Sequence, residues 1–77
     1  MALRVEFTVE PFVEGSPGPH VSAALDAVRA AGVEVSFGPF GTVFEADTAI
    51  ATRAVAALVE AATEAGASRI SLQVSSA

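Results

Sequence analysis

The chain has no cysteine, tryptophan, tyrosine, lysine or asparagine, and its single histidine is His20. Without cysteine there are no disulfide staples and no thiolate metal sites. One histidine among scattered carboxylates matches no metal-ligand spacing, so neither a metal nor any other cofactor is expected. Nine acidic residues stand against four arginines (Arg4, Arg29, Arg53 and Arg69), a net charge of −5. Such a chain repels a polyanion, which argues against a nucleic-acid partner. It has no basic amphipathic helix for a membrane surface and no apolar run of the ~18–20 residues that cross a bilayer. No membrane partner is expected. Met1-Ala2-Leu3-Arg4 shows no signal-peptide pattern, which makes the cytoplasm the expected location.

What the chain does have is apolar residues, 52% of its 77. That length accommodates one domain, expected over residues 1–77. A chain this short buries only about 60% of its unfolded surface. Small domains without staples often gain stability by oligomerising, so a homo-oligomer is expected.

Leu3, Val5, Phe7 and Val9 alternate with Arg4, Glu6, Thr8 and Glu10, the period of a strand with one buried face. Pro11 ends it. Residues 14–20 are dense in turn formers, and Pro19 suits the first turn of a helix over about 19–31, with Ser16 or Gly18 near its cap. Val33, Val35 and Phe37 alternate again as a second strand. Gly38-Pro39-Phe40-Gly41 is turn chemistry, and Thr42 to Glu45 resumes as a third strand, antiparallel to the second. Asp47 or Thr48 can cap a second helix that runs to about Ala65 and ends at Gly66. Ile50, Ala54, Ala57, Leu58 and Ala61, widened by Val55, Val59 and Ala62, give that helix an apolar arc of roughly 200°. This is wider than one sheet needs. Arg69 to Ser75 closes the chain as a strand with Ile70, Leu72 and Val74 inward.

The order β-α-β-β-α-β predicts a ferredoxin-like α+β two-layer sandwich. Right-handed crossovers place two helices on one face of a four-stranded antiparallel sheet. Arg4, Glu6, Thr8, Glu34, Ser36, Ser71 and Gln73 should line the other face.

A fold of this kind hosts many functions, and each needs its own residues. Heavy-metal carriage needs Cys-x-x-Cys, which is absent. RNA recognition needs aromatics on the central strands and a basic face, where this chain has Glu, Thr, Ser and Gln. Acylphosphatase-like catalysis needs a loop arginine and an asparagine, and the 11–20 loop and the chain lack them. Nucleophilic catalysis would have to be built around His20 with Ser16 or Ser22. His20 reads better as a polar residue in the first turn of the helix, satisfied by backbone or solvent, or as part of a pocket lining. The chain is expected not to be an enzyme.

Residues 37–47 hold three phenylalanines, two glycines, a threonine and two carboxylates. Glycines let a backbone approach a ligand, and Phe37 and Phe40 offer flat apolar walls. Glu45 could accept hydrogen bonds from an amino group or face a cation. An ordinary hairpin with core phenylalanines and a solvated Glu45 accounts for the same residues, and the residues alone leave both readings open.

Val9-Glu10-Pro11, Glu14-Gly15-Ser16 and Gly38-Pro39-Phe40-Gly41-Thr42-Val43-Phe44-Glu45 together resemble the YkoF-type thiamine-binding family. Its hairpin motif reads roughly Gly-Pro-x-Gly-Thr-x-x-Glu-Gly. This chain departs from it at Val35, where the family often has tyrosine, and at Ala46, which replaces a glycine. Its loop 15–19 is also its own variant. The resemblance implies a ferredoxin-like protomer in a homotetramer, a dimer of dimers, that binds thiamine or its hydroxymethylpyrimidine portion without chemistry. Thr42 and Glu45 would supply polar contacts, with Phe37 and Phe40 the walls and Ser16 and His20 nearby. Three apart on a strand, Thr42 and Glu45 point to opposite faces of a regular pleat, so both reach one ligand only through a bulge near Gly41 or from a neighbouring subunit. Two other classes share the topology: an amino-acid-sensing regulatory domain and a purely structural oligomer. The first needs paired groups for amine and carboxylate, and no arginine lies in these loops.

Overall fold

A computed structural model of the chain describes residues 1–11, 18–38 and 41–77. The elements run β1 (Ala2–Glu10), α1 (Pro19–Ala30), β2 (Ser36–Gly38), β3 (Gly41–Asp47), α2 (Thr48–Glu64) and β4 (Arg69–Ser76). The sheet order is β2-β3-β1-β4, with every neighbouring pair antiparallel. The architecture is the expected ferredoxin-like βαββαβ sandwich. Among the described residues, no helix is long and apolar enough to cross a membrane.

Alternation on β1 explains the layering. Val5, Phe7 and Val9 are buried beneath the helices, and the residues between them face the open side. Phe44 joins the same layer opposite Val5, and its ring meets Phe7 edge-on with centroids 6.4 Å apart. The helices contribute Ala24 and Val28 from α1 and Ala51, Ala54, Leu58 and Ala62 from α2. Alanines dominate the buried stripe of α2, so α1 and α2 can pack closely. The wide arc expected on α2 divides accordingly. Its centre is buried, Val55 is half-buried and packs on the core, and Val59 remains 38% exposed.

Both helix ends carry their chemistry in sequence. The Asp47 carboxylate accepts the Ala49 amide at 3.3 Å as an N-cap. Gly18 is the N-cap of α1, without a side-chain bond, and Pro19 follows it. Helix α1 ends at Ala30 with Ala31 as its cap, one residue short of the expected end.

The second strand differs more. It starts at Ser36, not Val33, so residues 33–35 have no strand partner among the described residues. Val33 is nevertheless buried. The alternation at 33–37 therefore recorded burial rather than backbone pairing, because a connecting segment can drop an apolar side chain into the core. Glu34 is exposed on that connection and is not a residue of the open sheet face. Gly41 begins β3 with φ +145°, and a Cβ there would sit 2.6 Å from the Phe7 carbonyl oxygen. Only glycine lets the hairpin lie this close to β1.

Candidate ligand site

One end of the molecule gathers the C-terminal ends of β1 and β2 and the starts of β3, β4 and α1. The antiparallel registers make this so: Phe7 pairs with Thr42, Phe37 also pairs with Thr42, and Glu10 pairs with Arg69. Phe37, Thr42, Phe7 and Leu72 thus form a row across the helix-facing side of the sheet. Phe7 is core, Thr42 is half-buried, and Phe37 on the short edge strand is 71% exposed. Thr42 therefore holds a hydroxyl between a buried ring and an exposed one. This is a pairing that can stack a planar ring and hydrogen-bond its edge.

His20 closes the same end. It is 8% exposed, and its Nε2 is hydrogen-bonded to the Pro11 carbonyl oxygen, tying the start of α1 to the end of β1. The ring lies against Gly18, where a Cβ would come within 2.5 Å of its Cε1. His20 is thus a backbone-satisfied residue of the first helical turn, one of the two readings its sequence context allowed.

Glu45 is elsewhere. It pairs with Arg4 on the open face, where it is exposed and part of the row that includes Ser75. Of the expected site residues, the structure brings His20, Phe37 and Thr42 to one end and holds Glu45 on the other side of the sheet. Ser16 and Phe40 lie outside the described residues.

The open face has a feature of its own. Glu6, Thr8, Ser71 and Gln73, with Phe7 beneath them, line a shallow concavity of about 330 Å³. Arg4 reaches toward Glu6 at 3.9 Å. Alternation marks these side chains as outward-facing in the sequence. That they meet depends on β1 lying beside β4, some sixty residues away in the chain. No local signal carries that neighbour relation.

The fold and this polar and aromatic end define a small ferredoxin-like domain with a ligand-sized surface. The chain belongs to the thiamine-binding protein family, whose model matches residues 5–76. Solved structures agree on the fold. A domain of unknown function, DUF77, from Bacillus cereus superposes with a TM-score of 0.69 at 21% identity, covering 97% of this chain and 73% of that one. A Thermotoga maritima protein whose name proposes a role in thiamine biosynthesis or salvage gives 0.67 at 24% identity, covering 97% and 81%. A Streptococcus pneumoniae protein gives 0.61 at 25% identity, covering 97% and 83%. No curated protein matches the chain.

Proposed function

We propose that this protein binds thiamine, or its hydroxymethylpyrimidine portion, without transforming it, in vitamin transport, storage or sensing in the cytoplasm. The observation that carries this reading is the family match over nearly the whole chain. The chemistry is compatible with it. Thiamine is a cation with an aminopyrimidine ring; the chain is acidic, and Phe37 and Thr42 form an aromatic and hydroxyl pair at an accessible end. A non-catalytic role is supported by the sole histidine, which is buried and bonded to a backbone carbonyl rather than poised beside a nucleophile. No cofactor enters this reading.

The active form in this proposal is a homotetramer built as a dimer of dimers, so that groups on opposite faces of one sheet can meet in the assembly. Glu45 would then serve a ligand at the Phe37–Thr42 end of a second copy. Calorimetric titration with thiamine, hydroxymethylpyrimidine and a panel of amino acids tests the reading. Saturable heat with thiamine or the pyrimidine is expected. Heat only with amino acids would replace it with a regulatory sensor, and heat with none would leave a structural oligomer.

A further inference from the structure

We infer that the ligand site discriminates by charge: it takes the vitamin or its pyrimidine in the unphosphorylated form and rejects the phosphate esters, and Glu10 is the residue that enforces the choice. The inference rests on the proposed thiamine site at the Phe37–Thr42 end and adds to it which chemical form is bound.

Holding a phosphate ester takes cationic side chains or free backbone amides. The chain has no lysine and four arginines. Three of the arginines stand away from the ligand end. Arg4 lies on the open face, about 10 Å along β1 from the Phe7–Thr42 row, where it is opposite Glu45 and 3.9 Å from Glu6. Arg29 is in the last turn of α1, about 15 Å of helix beyond Pro19. Arg53 is exposed in the second turn of α2, whose first residue, Thr48, donates its amide to Met1 at the opposite end of the sheet.

The fourth, Arg69, is at the ligand end, and a carboxylate occupies it. It pairs across the strands with Glu10, and its Nε lies 3.7 Å from a Glu10 carboxylate oxygen. The Glu10 backbone is fixed separately. Its carbonyl accepts the Ser68 amide at 2.8 Å and the Ser68 hydroxyl at 3.2 Å. The same clamp draws the end of α2 to this end of the sheet. Helix α2 finishes at Glu64 with no basic residue in its last turn, so it presents the negative end of its dipole and a carboxylate here.

Helix α1 brings the opposite end of its dipole, yet its first-turn donors are already engaged. Pro19 has no N–H, and the amides of Val21 and Ser22 donate to the Gly18 carbonyl at 3.1 and 3.3 Å. The His20 ring is hydrogen-bonded to the Pro11 carbonyl oxygen. No two adjacent amides of this turn are left to cradle a phosphate. Among the described residues at this end, the carboxylates of Glu10 and Glu64 outnumber the Arg69 guanidinium. Thiamine arrives as a cation and is attracted. A phosphoryl group brings roughly −1.5 to −2 charge at pH 7, which turns the attracted cation into a repelled anion.

Calorimetric titration with thiamine, its monophosphate and diphosphate, hydroxymethylpyrimidine and its phosphate ester, each with and without magnesium, tests the inference. Each monophosphate should bind about tenfold or more weakly than its parent compound, and the diphosphate more weakly still. High salt should narrow the gap, because the charges that set it are exposed. Glu10→Gln frees Arg69 while the backbone clamp to Ser68 stays, and it should narrow the gap by about threefold. Adding Arg69→Gln should reopen it. Thiamine binding by these variants reports that the site is intact. Equal affinity for the vitamin and its esters would overturn the inference and leave the thiamine reading standing. A gap unchanged by high salt or by Glu10→Gln would also overturn it, since a steric barrier would then be the cause. No heat with thiamine or the pyrimidine would overturn the reading of the site, and the inference with it.

Discussion

Thr42 and Glu45, three residues apart on β3, stand on opposite faces of the sheet, because the register from Phe7↔Thr42 to Arg4↔Glu45 runs without a bulge. One ligand can touch both only if the two come from different copies. Thr42→Val keeps the volume of a half-buried side chain and removes one hydroxyl, and it should weaken thiamine binding by roughly 0.5–1.5 kcal/mol. Glu45→Gln should cost more, about 1.5–3 kcal/mol, as the loss of a charge-assisted bond. Calorimetry on both variants and on the double variant checks this. Unchanged binding in both would move the ligand away from β3, with the concavity at Glu6 and Gln73 as the next place to look.

Gly18 is constrained by His20 rather than by its own backbone. Gly18→Ala places a methyl within 2.5 Å of the imidazole, and the ring cannot retreat without giving up its bond to Pro11. A loss of about 1–3 kcal/mol is expected from overpacking. Urea denaturation measures it. Adding His20→Ala should recover part of the loss, since the methyl then has room, and full additivity of the two changes would contradict the contact.

Leu58 and Val59 are adjacent on α2, yet their truncation should differ sharply. Leu58 is among the largest fully buried side chains in a core otherwise rich in alanine and valine. Leu58→Ala should cost about 2–5 kcal/mol, through lost transfer energy and the cavity left behind. Val59 lies on the exposed flank, and Val59→Ala should change protomer stability by no more than about 0.5 kcal/mol. Denaturation midpoints at low protein concentration, where assembly contributes least, make the comparison.

The start of α2 depends on Asp47. Its carboxylate satisfies the Ala49 amide, one of the four that a helix leaves unpaired at its N-terminus. Asp47→Ala should cost roughly 1 kcal/mol, and Asp47→Asn much less, because the amide oxygen still accepts. The distance of 4.0 Å between Asp47 and the N-terminal amine, both well exposed, adds little. High salt should therefore leave the difference between the two variants nearly unchanged.

Much of this protein was legible in local pattern. Period-two alternation on residues 3–9 and 70–74, helical spacing with start signals at Gly18-Pro19 and Asp47, and the glycine turn at 38–41 are properties of neighbouring residues. They were enough to give the βαββαβ order and, with crossover handedness, two helices on one face of a four-stranded antiparallel sheet. The pattern misled at Val33 and Val35, where alternation reports which side chains are buried and says nothing about whether the backbone has a partner strand.

The sequence alone determined the order of elements, the buried face of each strand, the acidic charge and the motif Gly38 to Glu45. It did so because backbone preference, hydrophobic period and turn chemistry act over a few residues. Only the tertiary structure decided that β3 runs without a bulge, so that Thr42 and Phe37 share a face with Phe7 while Glu45 stands with Arg4 on the other. The same holds for the concavity between Glu6 and Gln73. Each of these is set by register and strand adjacency, which are fixed by contacts between residues dozens of positions apart once the core has closed around Val5, Phe44 and Leu58.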